Sequence, residues 1–213
     1  MTRIVGWQKL FLGAVTICAA AGCWAALERT ETFQDIRVTV RGEGKPVMMI
    51  PGLNSAGAVW DETCATLLQA GIQCLIVQLP GFAGQAPVAG DRFLESMRDR
   101  LLAYLAANAK GPVAVMGHSL GGELALQMAM KEPVAIDRLI IVDSLPFFPA
   151  VRDPNATAES MKPMAAGMRA SMLAGPIEAY NAQLKASVRS MTRDAKRVER
   201  LEAWGLASDR ATT

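Results

Sequence analysis

A chain of 213 residues in which 51% are hydrophobic is long and apolar enough for one α/β domain with a sizeable core, which excludes an intrinsically disordered protein. The net charge is +2. With Arg3 and Lys9 of the N-terminal segment set aside, 20 basic residues face 20 acidic ones, which excludes the basic footprint of a nucleic-acid binder.

Arg3 and Lys9 precede a charge-free run over residues 10–27 (LFLGAVTICAAAGCWAAL) whose second half is crowded with small residues. Three readings of residues 1–27 stay open. They are a cleaved secretory signal, an uncleaved membrane anchor, and a lipoprotein signal in which Ala20-Ala21-Gly22-Cys23 serves as the lipobox. Each predicts an exported protein, periplasmic or membrane-anchored through its N-terminus. A buried N-terminal helix is disfavoured by the basic start and the lack of a polar face.

Residues 33–40 alternate and are β-rich, so a strand is expected there, followed by a turn over 41–45. A short buried strand over 46–50 leads into a Gly- and Asn-bearing loop at 51–57. Val59, Trp60, Leu67 and Leu68 lie at helical spacing within 58–70, a strand follows over 73–79, and 80–87 is a Gly/Pro-rich loop. Asp91 is the expected N-cap of a helix to residue 108, with Phe93, Leu94, Met97, Leu101 and Leu105 on one face. A strand over 112–116, a helix over 120–130 and a strand over 138–142, ending at Asp143, complete the alternation. Short continuous apolar strands alternating with helices predict a mostly parallel sheet with helices on both faces. Beyond about residue 150 the pattern becomes helical: a Met- and Ala-rich stretch over 161–174, then apolar residues from Ile177 to Trp204 at three- and four-residue steps. The expected division is a leader over 1–27, a core over 33–150 and a helical cap over 151–213.

Of the four cysteines, Cys18 and Cys23 fall in the leader. Cys64 and Cys74 either pair in an oxidising compartment or stay as two buried thiols; sequence alone leaves both open. No CxxC or His-rich spacing suggests a metal, and no cofactor loop stands out.

The chemistry centres on Gly117-His118-Ser119-Leu120-Gly121-Gly122, directly after the apolar run at 112–116. This is a G-x-S-x-G turn from strand to helix, which lifts a serine hydroxyl clear of the sheet as a nucleophile. The Leu120 N–H, at the helix start, is one expected oxyanion donor. Leu53, in Pro51-Gly52-Leu53-Asn54-Ser55, is expected to supply the second N–H, with Asn54 as the alternative.

These motifs resemble the α/β-hydrolase superfamily of esterases, lipases and haloperoxidase-like enzymes. Residues 51–55 match the position of that family's oxyanion loop, with proline where histidine is usual, and Pro80-Gly81-Phe82-Ala83-Gly84 resembles the loop after the next strand. The resemblance covers about residues 33–150. It implies a serine hydrolase acting on carboxylic esters or related acyl bonds through Ser119, with no cofactor. It also implies an incomplete α/β-hydrolase fold, because the closing strands and the usual triad acid and base have no match within the sequence. Asp143 is the alternative acid. The one histidine, His118, sits inside the elbow, where adjacent side chains diverge, and is a poor base. The Met-rich cap points to a small apolar ester as substrate. An inactive truncated relic and a non-catalytic binding protein are the alternatives.

Overall fold

The computed structural model describes residues 28–90 and 92–213; the N-terminal segment with Cys18 and Cys23, and the expected cap Asp91, lie outside the described residues. Six strands form one sheet: β1 (Glu28–Phe33), β2 (Ile36–Arg41), β3 (Lys45–Ile50), β4 (Ile72–Gln78), β5 (Val113–His118) and β6 (Ile136–Val142), in the order β1-β2-β4-β3-β5-β6. The four strands from β4 to β6 run parallel; β2 pairs antiparallel with β4, and β1 with β2.

The continuous apolar runs are explained by two cores, one on each face. In β3, Met48 and Ile50 enter one cluster while Val47 and Met49 enter the other; in β4, Leu75 and Val77 separate in the same way from Cys74 and Ile76. Successive side chains of a strand point to opposite faces, so a strand covered on both sides is apolar at every position. The first core receives α2 (Phe93–Asn108) through Met97, Leu101, Tyr104 and Leu105, and α3 (Leu120–Lys131) through Leu124, Ala125 and Met128. The second receives Trp60 and Cys64 from α1 (Asp61–Gln69) and the turn before it.

The strand expected over residues 33–40 is instead the second half of a hairpin. Gln34, at φ 51, turns the chain between Phe33 and Ile36. Ile36, Val38 and Val40 are fully buried, whereas β1 (ERTETF) is an exposed edge whose polar residues carry no apolar signal. Cys64 and Cys74 are free, buried thiols, with the Cys74 thiol donating to the Cys64 carbonyl at 3.7 Å. Burial, reinforced by Cys64, pushes the Cys74 thiol up to about 12.

Beyond β6 the chain forms α4 (Ala158–Ala174), α5 (Ile177–Met191) and α6 (Ala195–Leu206). A reciprocal Thr157–Ser160 capping box starts α4, and the Asp194 carboxylate starts α6. Leu184 of α5 packs on Gly205 of α6, where a Cβ would lie 2.7 Å from it, and Arg189 pairs with Glu202 at 2.7 Å. Arg197 reaches Glu62 of the core at 2.9 Å. Neither α4 nor α5 has a fully buried residue, and Met164 and Met168 of α4 are 54% and 59% exposed. Among the described residues no strand pairs with the outer edge of β6, and no helix is long and apolar enough to cross a membrane.

Candidate active site

β5 ends at His118 and α3 begins at Leu120, so Ser119 alone turns the chain, at φ 52 and ψ −119. A β-carbon disfavours this region, and a strained serine between strand and helix is what the sequence motif predicts. The turn closes tightly. A Cβ at Gly117 would sit 2.1 Å from the Gly121 carbonyl oxygen, and one at Gly121 would sit 2.2 Å from that of Ile50. The Ser119 N–H donates to the Val142 carbonyl at 3.0 Å, tying the elbow to β6. Its own carbonyl accepts from Gly122 and Glu123 at 2.8 and 3.1 Å, which starts α3.

Among the described residues the Leu120 N–H donates to no other group, as expected of the first turn of a helix, where the dipole also favours negative charge. The loop after β3 folds back beside it. Gly52 to Ser55 form a turn closed by the Ser55 N–H to the Gly52 carbonyl at 3.3 Å, with Asn54 at φ 57. Leu53 is 43% exposed at the tip, its carbonyl accepting from the Ser55 hydroxyl at 3.3 Å and its N–H unengaged among the described residues. A Cβ at Gly52 would lie 2.9 Å from His118 Nδ1 and 3.3 Å from Ser119 Cβ, so the loop lies directly against the elbow. The structure therefore brings Ser119, Leu120 and the Gly52–Leu53 turn together at the carboxyl ends of β3 and β5, the usual ligand edge of such a sheet.

The other sequence candidates are arranged differently. His118 packs against Gly52. Its Nδ1 is buried without a partner among the described residues, and no hydrogen bond joins it to Ser119. Asp143 follows β6 on the same rim, at φ 47 and exposed, with no ion pair among the described residues. Glu123, one turn into α3, is half-buried; burial pushes its carboxyl up, against a hydrogen bond from Gln127. Among the described residues no three His, Cys, Asp or Glu side chains gather to hold a metal. A cleft of about 440 Å³ lies between α2 and the last turn of α3, at the opposite end of that helix from Ser119, and no methionine of α4 lines it.

Two features of the rim escape sequence reasoning. Gln78, at the end of β4, donates to the Leu79 and Phe82 carbonyls at 3.1 Å each and accepts from the Gly57 N–H at 2.9 Å, fastening the 51–57 loop to the 80–87 loop. A glutamine directly after the apolar run Cys74-Leu75-Ile76-Val77 was the available signal. The second feature is residues 207–213, which lie along that loop. Gly84 donates to the Ala207 carbonyl at 3.0 Å, Ala83 to the Ser208 hydroxyl at 2.9 Å, and Asp209 to the Gly81 carbonyl at 2.7 Å. The Thr213 hydroxyl meets Asn54 Oδ1 at 2.7 Å. No local pattern announced this long-range docking.

Comparison with known proteins bears on the family and the fold. Residues 47–211 match the model of a family described as the alpha/beta hydrolase family. The pimeloyl-[acyl-carrier protein] methyl ester esterase of Vibrio atlanticus is 32% identical over 115 residues, 54% of this chain and 42% of that protein. The enzyme of the same description from a Shewanella species is 35% identical over 115 residues, covering 54% and 40%. The chain thus spans about two fifths of the length of these curated relatives. Among solved structures, a hydrolase from Pseudomonas aeruginosa superposes with a TM-score of 0.68 at 18% identity, over 88% of this chain and 70% of that one. A carboxylesterase structure from Nitrososphaera gargenis gives 0.61 at 14%, over 86% and 68%. At these identities the structural likeness speaks to the fold alone.

Proposed function

Because this chain belongs to the alpha/beta hydrolase family, we propose that it presents Ser119 as the nucleophile of a carboxylic-ester hydrolase, with the N–H groups of Leu53 and Leu120 receiving the oxyanion. The observation that carries this reading is the Ser119 backbone itself, a non-glycine residue held at φ 52 between β5 and α3 with unengaged amides beside it. Strain of this kind clusters at functional sites. In the proposed reaction the serine hydroxyl loses its proton to hydroxide, its oxygen adds to the ester carbonyl, and the carbonyl oxygen becomes an anion between the two N–H groups. Collapse expels the alkoxide, which takes a proton from water, and leaves an acyl-serine; water then hydrolyses this to the acid and free Ser119. One well-aimed N–H is worth about 3–4 kcal/mol of transition-state stabilisation. The esterase descriptions of the relatives support an ester substrate.

A serine hydroxyl is a weak nucleophile until a base takes its proton. The only histidine in the sequence is His118, which makes no hydrogen bond to Ser119, so the proposed chemistry of these 213 residues stops short of a paired general base. That same observation favours the second reading, a non-catalytic binding role for the fold. The apolar run over 10–27 supports an exported or membrane-anchored location.

A fluorophosphonate probe tests the nucleophile. Peptide mapping is expected to place the adduct on Ser119 and to find none in Ser119→Ala. Adducts elsewhere at equal rates, or none even after prolonged alkaline incubation, favour the binding role.

A further inference from the structure

The turn that carries Leu53 is weakly closed by its own bonds. Within residues 52–55 the Ser55 N–H donates to the Gly52 carbonyl and the Ser55 hydroxyl to the Leu53 carbonyl, both at 3.3 Å, which is long for a hydrogen bond. The Leu53 side chain is exposed, so burial does not anchor the tip. Asn54 stands at φ 57, in the left-handed region that an L-residue occupies at a cost. Among the described residues one hydrogen bond ties this turn to another part of the chain, and it is the shortest of the three: the Thr213 hydroxyl donates to Asn54 Oδ1 at 2.7 Å. Thr213 is itself held. Its N–H donates to the Asp209 carbonyl at 3.1 Å, and the Asp209 carboxylate accepts from the Thr212 N–H and hydroxyl at 2.8 and 2.7 Å, which closes residues 209–213 into a turn. The Asp209 N–H donates to the Gly81 carbonyl at 2.7 Å, and a Cβ at Gly81 would lie between 2.6 and 2.8 Å from three atoms of the Thr212 side chain. Thr213 thus reaches Asn54 from a turn that is bonded internally and seated on the 80–87 loop.

We propose that Thr213 is a positioning residue for the ester chemistry: by holding the Asn54 side chain it fixes the left-handed turn and keeps the Leu53 N–H aimed beside Ser119. It touches no reacting atom and acts through Asn54. The inference rests on the oxyanion role given to Leu53 above. A donor of this kind stabilises the transition state because it is fixed before charge develops, and its geometry depends on the groups that support it. Leu53 follows Gly52, whose Cβ position lies 3.3 Å from Ser119 Cβ, so movement of the turn is movement of the donor relative to the nucleophile.

Two readouts on the full chain test this. The variants are Thr213→Val, which keeps the side-chain shape and removes the hydroxyl, and Thr213→Ser, which keeps the hydroxyl. The first readout is the rate of fluorophosphonate labelling at Ser119 across the alkaline range. Thr213→Val is expected to label about fivefold more slowly at every pH, the scale of one neutral hydrogen bond, with an unchanged slope against hydroxide because the nucleophile is untouched. Thr213→Ser should recover the parent rate. In Asn54→Gly, which accepts the left-handed backbone but offers no side chain to hold, Thr213→Val should cost nothing further. The second readout is the backbone order at Leu53 and Asn54 by nitrogen-15 NMR relaxation, which should fall in Thr213→Val and return in Thr213→Ser. Labelling of Thr213→Val at the parent rate overturns the proposal. So does a loss that Thr213→Ser leaves in place, a loss of full size in the Asn54→Gly background, or unchanged order at Leu53 and Asn54. If Thr213→Val fails to fold, Asn54→Gly decides: a parent-like labelling rate overturns the proposal, and a fivefold loss with lowered order at Leu53 supports it. A parent with no Ser119 adduct sinks the hydrolase reading and the oxyanion role with it, and the order at Leu53 and Asn54 then decides by itself whether Thr213 holds the turn.

Discussion

Ser119 is held where a β-carbon is unwelcome, and its neighbours show how the chain tolerates that. Residues in such backbone regions cost on the order of 1–3 kcal/mol. The Ser119 N–H bond to Val142 and the two amides of α3 that bond its carbonyl offset the strain. Gly121 has no room for a side chain, because a methyl there would meet the Ile50 carbonyl oxygen at 2.2 Å. Gly121→Ala is expected to destabilise the fold by about 3 kcal/mol, measured by urea unfolding. Glu123 predicts a pH dependence. Burial raises its carboxyl above the ordinary glutamate range, so the folded state binds the proton more tightly than the unfolded chain. Stability is then lost as pH rises through that range. Glu123→Gln should unfold at a higher temperature than the parent at pH 7 and at the same temperature at about pH 3.5, below the usual glutamate value. The elbow was legible in the sequence because sterics demand small residues at fixed offsets from the serine. The docking of residues 207–213 on the rim was not, because the Ala83–Ser208 and Asn54–Thr213 bonds join segments far apart in the chain.

At the scale of elements, β3, β4 and β5 were readable because burial on both faces leaves a run of apolar residues. Leu124 and Met128 of α3, and Met97, Leu101 and Leu105 of α2, were readable because one stripe at helical spacing meets the first core. The β1–β2 turn was not, since Gln34 and Asp35 are no strong turn pair and β1 buries almost nothing. The helices from α4 to α6 were legible as helices but not in their attachment, which runs through scattered polar contacts. Packing of α1 on β4 places Cys64 and Cys74 in the second core, both fully buried. The Cys74 thiol, pushed up to about 12 by burial, is not in the reactive thiolate form, and Cys64 is shielded from reagent by its burial. Iodoacetamide at neutral pH should leave both unmodified in the folded chain and alkylate both after denaturation; rapid alkylation of the native protein would contradict this packing.

The molecule as a whole has a well-covered half and an open one. Among the described residues, Leu53 apart, every exposed large hydrophobic side chain lies from Met130 onward. Among them Val142 lies in β6, whose outer edge is unpaired among the described residues, and Met164, Met168 and Leu173 lie in α4, which has no buried residue. An apolar strand with a free edge is a template for pairing with another chain. Light scattering should show mass rising with concentration, and Ile140→Lys, a charge in the middle of that strand, should reduce the rise; a monomer at all concentrations would show that the edge is covered. The described residues form Ser119 and its neighbouring amides, and among them no imidazole is hydrogen-bonded to that serine. The pH dependence of fluorophosphonate labelling tests this combination most directly. A serine without a base should label slowly, at a rate that climbs with hydroxide and shows no plateau, because a histidine base imposes an inflection near about 6.5. A fast reaction levelling off near neutrality, and abolished by His118→Asn, would contradict the account.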